Sequence, residues 1–199
     1  MIIDKEKIIF IHIPKNAGMS IKRFCFKQEK LKTLFKHKTI YDIKKENPVE
    51  YNTYRKFAVV RNPYDRMVSW FAYQKRYRLD NDLLNTYQHN SKTNSYEIVE
   101  TVKAPVDEFR YWFKDKHADP QQDFDIFKPQ HEWIDKTVTI LKYENLNEEL
   151  SNFLNEKIEL PKVNNTSRFD IMSYYDKKTL DIVYERYKED FEKFNYKKI

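Results

Sequence analysis

The chain has 199 residues, 40% of them apolar and 34% charged, with 37 Lys and Arg against 31 Asp and Glu for a net charge of +6. At roughly 100–200 residues per domain that length reads as one domain, 1–199, able to bury a core without disulfides. With 15 Tyr and 14 Phe the composition excludes a disordered polar chain, and it equally excludes collagen-like, low-complexity and disulfide-scaffold classes.

KIIFIHI at 7–13 is rich in β-branched residues and reads as a strand buried on both faces. Its apolar part, IIFIHI at 8–13, is the longest such run and is too short to span a bilayer. PKNAGMS at 14–20 interrupts it, and SIKRFCFKQ then reads as a helix with Ser20 near its start. Short helices are expected around IYDIKKE and VEYNTY, followed by a second buried strand, KFAVV at 56–60. NPYDRMVSWFAYQKRY reads as a helix with Pro63 at its first position and Met67, Val68 and Phe71 on one face. The polar stretch 79–104 reads as a surface excursion, a candidate lid or a plain loop. VDEFRYWFKDK is expected to be helical and ADPQQDFDIFKPQ loop-like. TVTILKY at 137–143 is a third strand, ENLNEELSNFLNE a short helix, and the apolar spacing from Asp176 onward predicts one long amphipathic helix. Strands alternating with helices give an α/β fold class: a three-layer domain with a mainly parallel sheet and a P-loop-like strand–loop–helix.

The start, MIIDKEK, lacks the pattern of a secretory signal, and the single cysteine, Cys25, cannot form an internal disulfide. The expectation is a cytoplasmic protein with no membrane partner.

The chain holds one glycine, where average usage predicts about fourteen. A retained glycine marks a place intolerant of a side chain, and Gly18 lies inside PKNAGMS. A loop between a strand and a helix can aim backbone N–H groups at an anion, aided by the helix dipole. Lys15 supplies a mobile charge, Gly18 permits close approach and Ser20 offers a hydroxyl. The ordinary P-loop places its Lys after the last Gly; here Lys15 precedes the only one, so the cradle is not one for ATP and magnesium. Taken alone, the motif is equally a βα turn with a solvated lysine.

VVRNPYDRMVS at 59–69 sets Arg61 at the end of a buried strand and Ser69 two turns into the next helix. Ligands in open α/β sheets gather at the carboxyl ends of strands, where an arginine fork can clamp a phosphate. Alone, Arg61 reads as a partner for Asp65 or a helix terminus. Together the two motifs point to a ligand with two separated phosphate groups.

FIHIPKNAGMSIK and FAVVRNPYDRMVSWF resemble the two nucleotide-binding signatures of sulfotransferases that use 3′-phosphoadenosine 5′-phosphosulfate (PAPS). The similarity is to the carbohydrate-type, family-2-like branch in its short soluble form. It continues through FKPQHEWI, ILKYENL, LPKVNNTSR and the VYERYKEDFEKFNY ending, and is weakest across 79–104. The resemblance implies that Lys15, Asn16, Ala17, Gly18, Met19 and Ser20 hold the 5′-phosphosulfate, that Arg61 and Ser69 hold the 3′-phosphate, and that Arg168 reaches the cofactor from a late loop. Asn16 and Met19 stand where the family usually has Thr.

The reaction so implied is sulfuryl transfer to an acceptor hydroxyl, on a carbohydrate by family expectation, leaving adenosine 3′,5′-bisphosphate (PAP). It is an in-line displacement in which Lys15 stabilises charge on the leaving phosphate. A sulfuryl group carries less charge than a phosphoryl, and the sequence has no His/Cys cluster, so no metal is expected. The acceptor needs a general base. His37 is the first candidate, because carbohydrate 2-O-sulfotransferases place a histidine base between the two cofactor motifs. His131, beside Glu132, is the second. Three rival readings stay open: a PAP-binding protein without catalysis, a P-loop kinase or ATPase, and a nucleic-acid-binding module. Against the last, the lysines are interspersed with acids rather than gathered in one stripe, so no nucleic-acid partner is expected.

Overall fold

The computed structural model describes residues 1–25, 37–75, 77–80, 83–90, 95–102, 107, 109–113, 127–160 and 170–199. In chain order its elements are strands β1 (Ile2–Ile3) and β2 (Ile8–Ile11), helices α1 (Gly18–Cys25), α2 (Ile40–Glu46) and α3 (Pro48–Thr53), strand β3 (Arg55–Val60), helix α4 (Pro63–Lys75), strands β4 (Tyr77–Asp80), β5 (Leu83–Asn90), β6 (Ser95–Val102) and β7 (Thr139–Lys142), and helices α5 (Leu146–Leu154), α6 (Lys177–Arg186) and α7 (Lys188–Lys193). Short 3-10 turns cover Gln130–Trp133, Tyr143–Asn145 and Ile171–Tyr174. The chain gathers into two compact units, the first formed by Met1–Asn62, Phe124–Val163 and Lys188–Lys197, the second by Pro63–Asp123, Asn164–Tyr187 and Lys198–Ile199.

The first unit is built on a four-stranded sheet in the order β1-β2-β3-β7. Strands β2, β3 and β7 run parallel, and β1 lies antiparallel on the free edge of β2. Every residue of β2 is buried, as are the last four of β3. Strands apolar on both faces require a cover on both, and helices supply it. On one face Ile9, Ile11, Ala58 and Val60 pack with Ile40 and Ile43 of α2, Tyr51 of α3, Trp133 and Phe194. On the other, Ile8, Phe10, Phe57, Val59 and Leu141 pack with Ile21 of α1 and Leu146 and Leu150 of α5. The register pairs Phe10 with Phe57, and their rings stack at 4.7 Å. The unit is therefore a mixed α/β sandwich of three layers with a mostly parallel sheet. Each such buried side chain contributes on the order of 1.5–3 kcal/mol.

The second unit has an aromatic core. Tyr64, Met67, Val68, Phe71 and Ala72 of α4 are buried, as are Phe109, Trp112 and Phe113 in the helical residues 109–113. The Phe71 ring meets Phe109 edge-on at 5.3 Å, and Phe109 meets Tyr175 at 4.9 Å. The Tyr175 hydroxyl donates to the Tyr64 carbonyl at 2.8 Å, so a buried phenol is satisfied inside the core.

The polar stretch 79–104 departs from the plain-loop reading, because most of it is an antiparallel meander, β4-β5-β6. It pairs Leu84 with Val102, Tyr87 with Ile98 and His89 with Tyr96, across a register shift at Thr86/Tyr87. Its Thr, Tyr, Ile and Val content suits strands, and polar composition does not prevent pairing made by backbone groups. The expected long C-terminal helix is two helices, parted at Tyr187, whose φ of −111° and ψ of 22° leave the helical range. The apolar spacing carried through that break, because it reports burial of Val183, Tyr187, Phe191 and Phe194 and not continuity of the backbone. Most of ADPQQDFDIFKPQ, together with His117 and Arg168, lies outside the described residues.

Candidate functional site

Strand β2 ends at Ile11 and α1 begins at Gly18, so the loop leaves the carboxyl end of a central parallel strand. Lys15 and Ala17 adopt left-handed conformations, with φ of 69° and 61°, on either side of Asn16. Left-handed residues alternating with ordinary ones turn successive N–H groups toward a common point. The Ser20 and Ile21 N–H groups are spent on the Ala17 carbonyl, at 2.9 and 3.1 Å. The N–H groups of Asn16, Ala17, Gly18 and Met19 have no partner among the described residues, and neither has the Ser20 hydroxyl.

Gly18 itself does not have a positive φ. A Cβ built on it would lie 2.0 Å from Cδ2 and Nε2 of His12. The lone glycine therefore makes room for the His12 ring, with the left-handed turns left to its neighbours. Burial, reinforced by the neighbouring His37, lowers the His12 pKa to about 4, so the ring is neutral at ordinary pH.

Asn16 is 1% exposed and points inward. Its Nδ2 donates to the Val59 carbonyl and to Gln130 Oε1, both at 2.7 Å, while its buried Oδ1 has no hydrogen-bond partner. Both side-chain donors are thus committed within the protein, and the loop offers an anion only backbone N–H at this position. Met19 is 41% exposed and likewise contributes its backbone.

Arg61 follows β3 and is buried. Its Nη1 donates to the Lys15 carbonyl at 2.9 Å, and its guanidinium stacks on the Tyr143 ring at 4.0 Å from the centroid. This cation–π contact and the hydrogen bond hold the positive charge beside the loop. Glu144 accepts from the Asn62 N–H and from the Tyr196 hydroxyl, both at 2.9 Å. Burial, with Glu144 adding to it, pushes the Tyr196 phenol up from its ordinary value. Lys142 lies over the Tyr196 ring at 4.8 Å, so both charged residues of KYEN serve packing around Tyr196.

The two histidine candidates occupy different settings. His37 is exposed; its Nδ1 lies 3.2 Å from the His12 carbonyl, and its ring meets the Trp133 ring edge-on at 6.1 Å. A carbonyl only accepts, so Nδ1 carries a proton, and in the neutral ring Nε2 then holds the lone pair. His131 Nδ1 lies 2.8 Å from the wholly buried Asp190 carboxylate, and its Nε2 lies 3.4 Å from Glu189. Both nitrogens of His131 thus face carboxylates, and its setting is that of a structural histidine. Ser69 is a buried residue of α4, in the second unit.

Sequence reasoning did not single out His12 as the reason for the glycine, Tyr143 under Arg61, or the Gln130–Asp190 pair. Asp190 carried a signal: it falls among Val183, Tyr187, Phe191 and Phe194, on a stripe otherwise apolar. Burial also raises the Cys25 thiol to about 11, which leaves it a poor nucleophile. Among the described residues no group of His, Cys, Asp or Glu is arranged to hold a metal, and no helix is long and apolar enough to cross a membrane.

The fold is that of a mixed α/β protein in which a strand–loop–helix, with N–H groups unpartnered among the described residues, stands beside a buried arginine at the next strand end. The family is specific: the Sulfotransferase family model matches residues 1–197, and the chain belongs to that family. No curated protein and no solved structure matches it.

Proposed function

We propose that the protein transfers a sulfuryl group from PAPS to an acceptor hydroxyl, on a carbohydrate by family expectation. The observation that carries the donor assignment is the run of backbone N–H groups from Asn16 to Met19, unpartnered among the described residues, beside a Ser20 hydroxyl equally without a partner there. Such a cradle at a helix start suits a phosphosulfate, and its lysine, Lys15, precedes the glycine as the family signature requires. The donor supplies an activated sulfuryl group; the protein binds, orients and moves one proton.

In this reading the loop N–H groups and Ser20 hold the 5′-phosphosulfate. Lys15 meets the negative charge that grows on the leaving phosphate, a role for preorganised electrostatics. Arg61 is assigned to the 3′-phosphate, with Ser69 and Arg168 as its expected helpers from the resemblance. His37 is assigned as the general base, because its Nδ1–H on the His12 carbonyl leaves Nε2 as the basic nitrogen. A hydroxyl brought to Nε2 would lose its proton as it attacks. His131, with a carboxylate at each nitrogen, is the less suited of the two.

Calorimetric titration with PAP and with 5′-AMP, without magnesium, tests the donor site in wild type and in Arg61→Ala. A strong preference for PAP that vanishes in Arg61→Ala supports the assignment. Equal weakening of both ligands would mean that Arg61 acts only through the Lys15 carbonyl. No preference in wild type would remove PAPS as the donor. For the base, His37→Ala should lower turnover by about 10²–10⁴ while PAP affinity stays as in wild type; turnover within threefold of wild type would reassign the base.

A further inference from the structure

Gln130 is not exposed at all, and each of its polar side-chain atoms is engaged. Its Oε1 accepts from Asn16 Nδ2 at 2.7 Å and from the Arg61 N–H at 2.9 Å. Its Nε2 donates to the Arg61 carbonyl at 2.8 Å and lies 3.4 Å from Asp190 Oδ2. Two of these bonds go to the main chain of Arg61, as a strand neighbour would make them; the third goes to the loop. The Asp190 carboxylate, 0% exposed, in turn accepts the N–H groups of Gln130 at 2.8 Å and His131 at 2.9 Å. Gln130 is thereby held from behind while its carboxamide holds the two segments in front.

The loop needs such a restraint. Lys15 and Ala17 are non-glycine residues at positive φ, a conformation their side chains disfavour. Asn16 between them leaves Oδ1 buried without a partner, a cost a loop chosen for stability alone would avoid. The conformation is imposed by the bonds from Asn16 to Val59 and Gln130. A carboxamide suits this position because it accepts two bonds at one end and donates two at the other. A carboxylate could not donate to the Arg61 carbonyl, and a methionine of similar length could do neither.

We propose that Gln130 is a positioning residue: held by Asp190, its carboxamide clasps Asn16 of the loop to the main chain of Arg61 and so fixes the spacing between the two anion-binding strand ends. It touches no reacting atom. Its effect on the donor rests on the PAPS reading; its effect on the loop does not, and the test separates the two.

The variant is Gln130→Met, with Asn16→Ala as the second, releasing the clasp from the loop side should Gln130→Met fail to fold. The first readout is amide hydrogen exchange at Ser20 and Ile21, whose N–H groups rest on the Ala17 carbonyl, against Phe57 and Val59 in β3. Release of the clasp speeds exchange at Ser20 and Ile21 at least tenfold with little change in β3. The second is PAP titration, where affinity falls at least tenfold while thermal unfolding remains cooperative. A double-mutant cycle between Gln130→Met and Asn16→Ala should be strongly non-additive. Unchanged exchange at Ser20 and Ile21 overturns the clasp whatever the ligand does. Unchanged PAP affinity with faster exchange overturns its positioning role. If wild type does not bind PAP, the donor assignment falls alone, and the clasp is decided by the exchange.

Discussion

At the residue scale, the lone glycine shows how a local anomaly in sequence can have a cause other than the one it suggests. Gly18 reads as a point of close ligand approach, yet its missing side chain accommodates the His12 ring. Gly18→Ala is therefore expected to destabilise the fold by about 1–3 kcal/mol, the usual cost of overpacking. His12→Ala in the same chain should recover part of that loss, a coupling that urea unfolding of the singles and the double would reveal. His12 also makes stability acid-sensitive. Its folded pKa is depressed to about 4 from an ordinary 6.5, so the unfolded chain takes up a proton first as pH falls. Above pH 6.5 the group costs nothing. Between about 6.5 and 4 it removes stability progressively, by up to about 3 kcal/mol. Denaturation midpoints at pH 7 and pH 4.5 should differ less in His12→Gln than in wild type.

At the element scale, helix α2 carries its own start signal. Thr39 and Asp42 form a reciprocal capping box, with the Asp42 N–H donating to Thr39 Oγ1 at 3.2 Å and the Thr39 N–H to Asp42 Oδ2 at 2.8 Å. Thr39→Ala should cost about 1 kcal/mol. Because Thr39 stands two residues after His37, the same variant should lower turnover more than it changes PAP affinity; equal effects on both would place the disturbance elsewhere. The elements themselves were legible wherever burial was strong. Strands β2, β3 and β7 and helices α2 to α5 fall where their apolar pattern and caps put them. The meander β4-β5-β6 was not, since 79–104 is polar and its strands pair through backbone groups of neighbouring segments, which an apolar pattern does not report. The break at Tyr187 was hidden because apolar spacing continues across it.

At the scale of the whole molecule, a net charge of +6 should favour a highly anionic donor. PAP affinity is expected to weaken several-fold between 50 and 300 mM salt, as screening shortens the range of the field; an affinity indifferent to salt would count against charge-driven capture. Turnover is expected to survive EDTA unchanged, since the chemistry assigned here uses Lys15 and backbone N–H groups. A loss restored by added magnesium would return the kinase-like reading. By itself the sequence determined the α/β class, the strand–loop–helix at PKNAGMS, the arginine at the second strand end and the family, because these rest on contiguous residues with a strong local signature. Only the tertiary structure decided that Asn16 faces inward, that Gly18 serves His12, that both nitrogens of His131 face carboxylates while His37 Nδ1 faces a carbonyl, and that Gln130 and Asp190 bind the loop to Arg61. Those facts depend on hydrogen bonds spanning up to 114 residues of chain, and no local pattern encodes which distant partner a buried polar group will find.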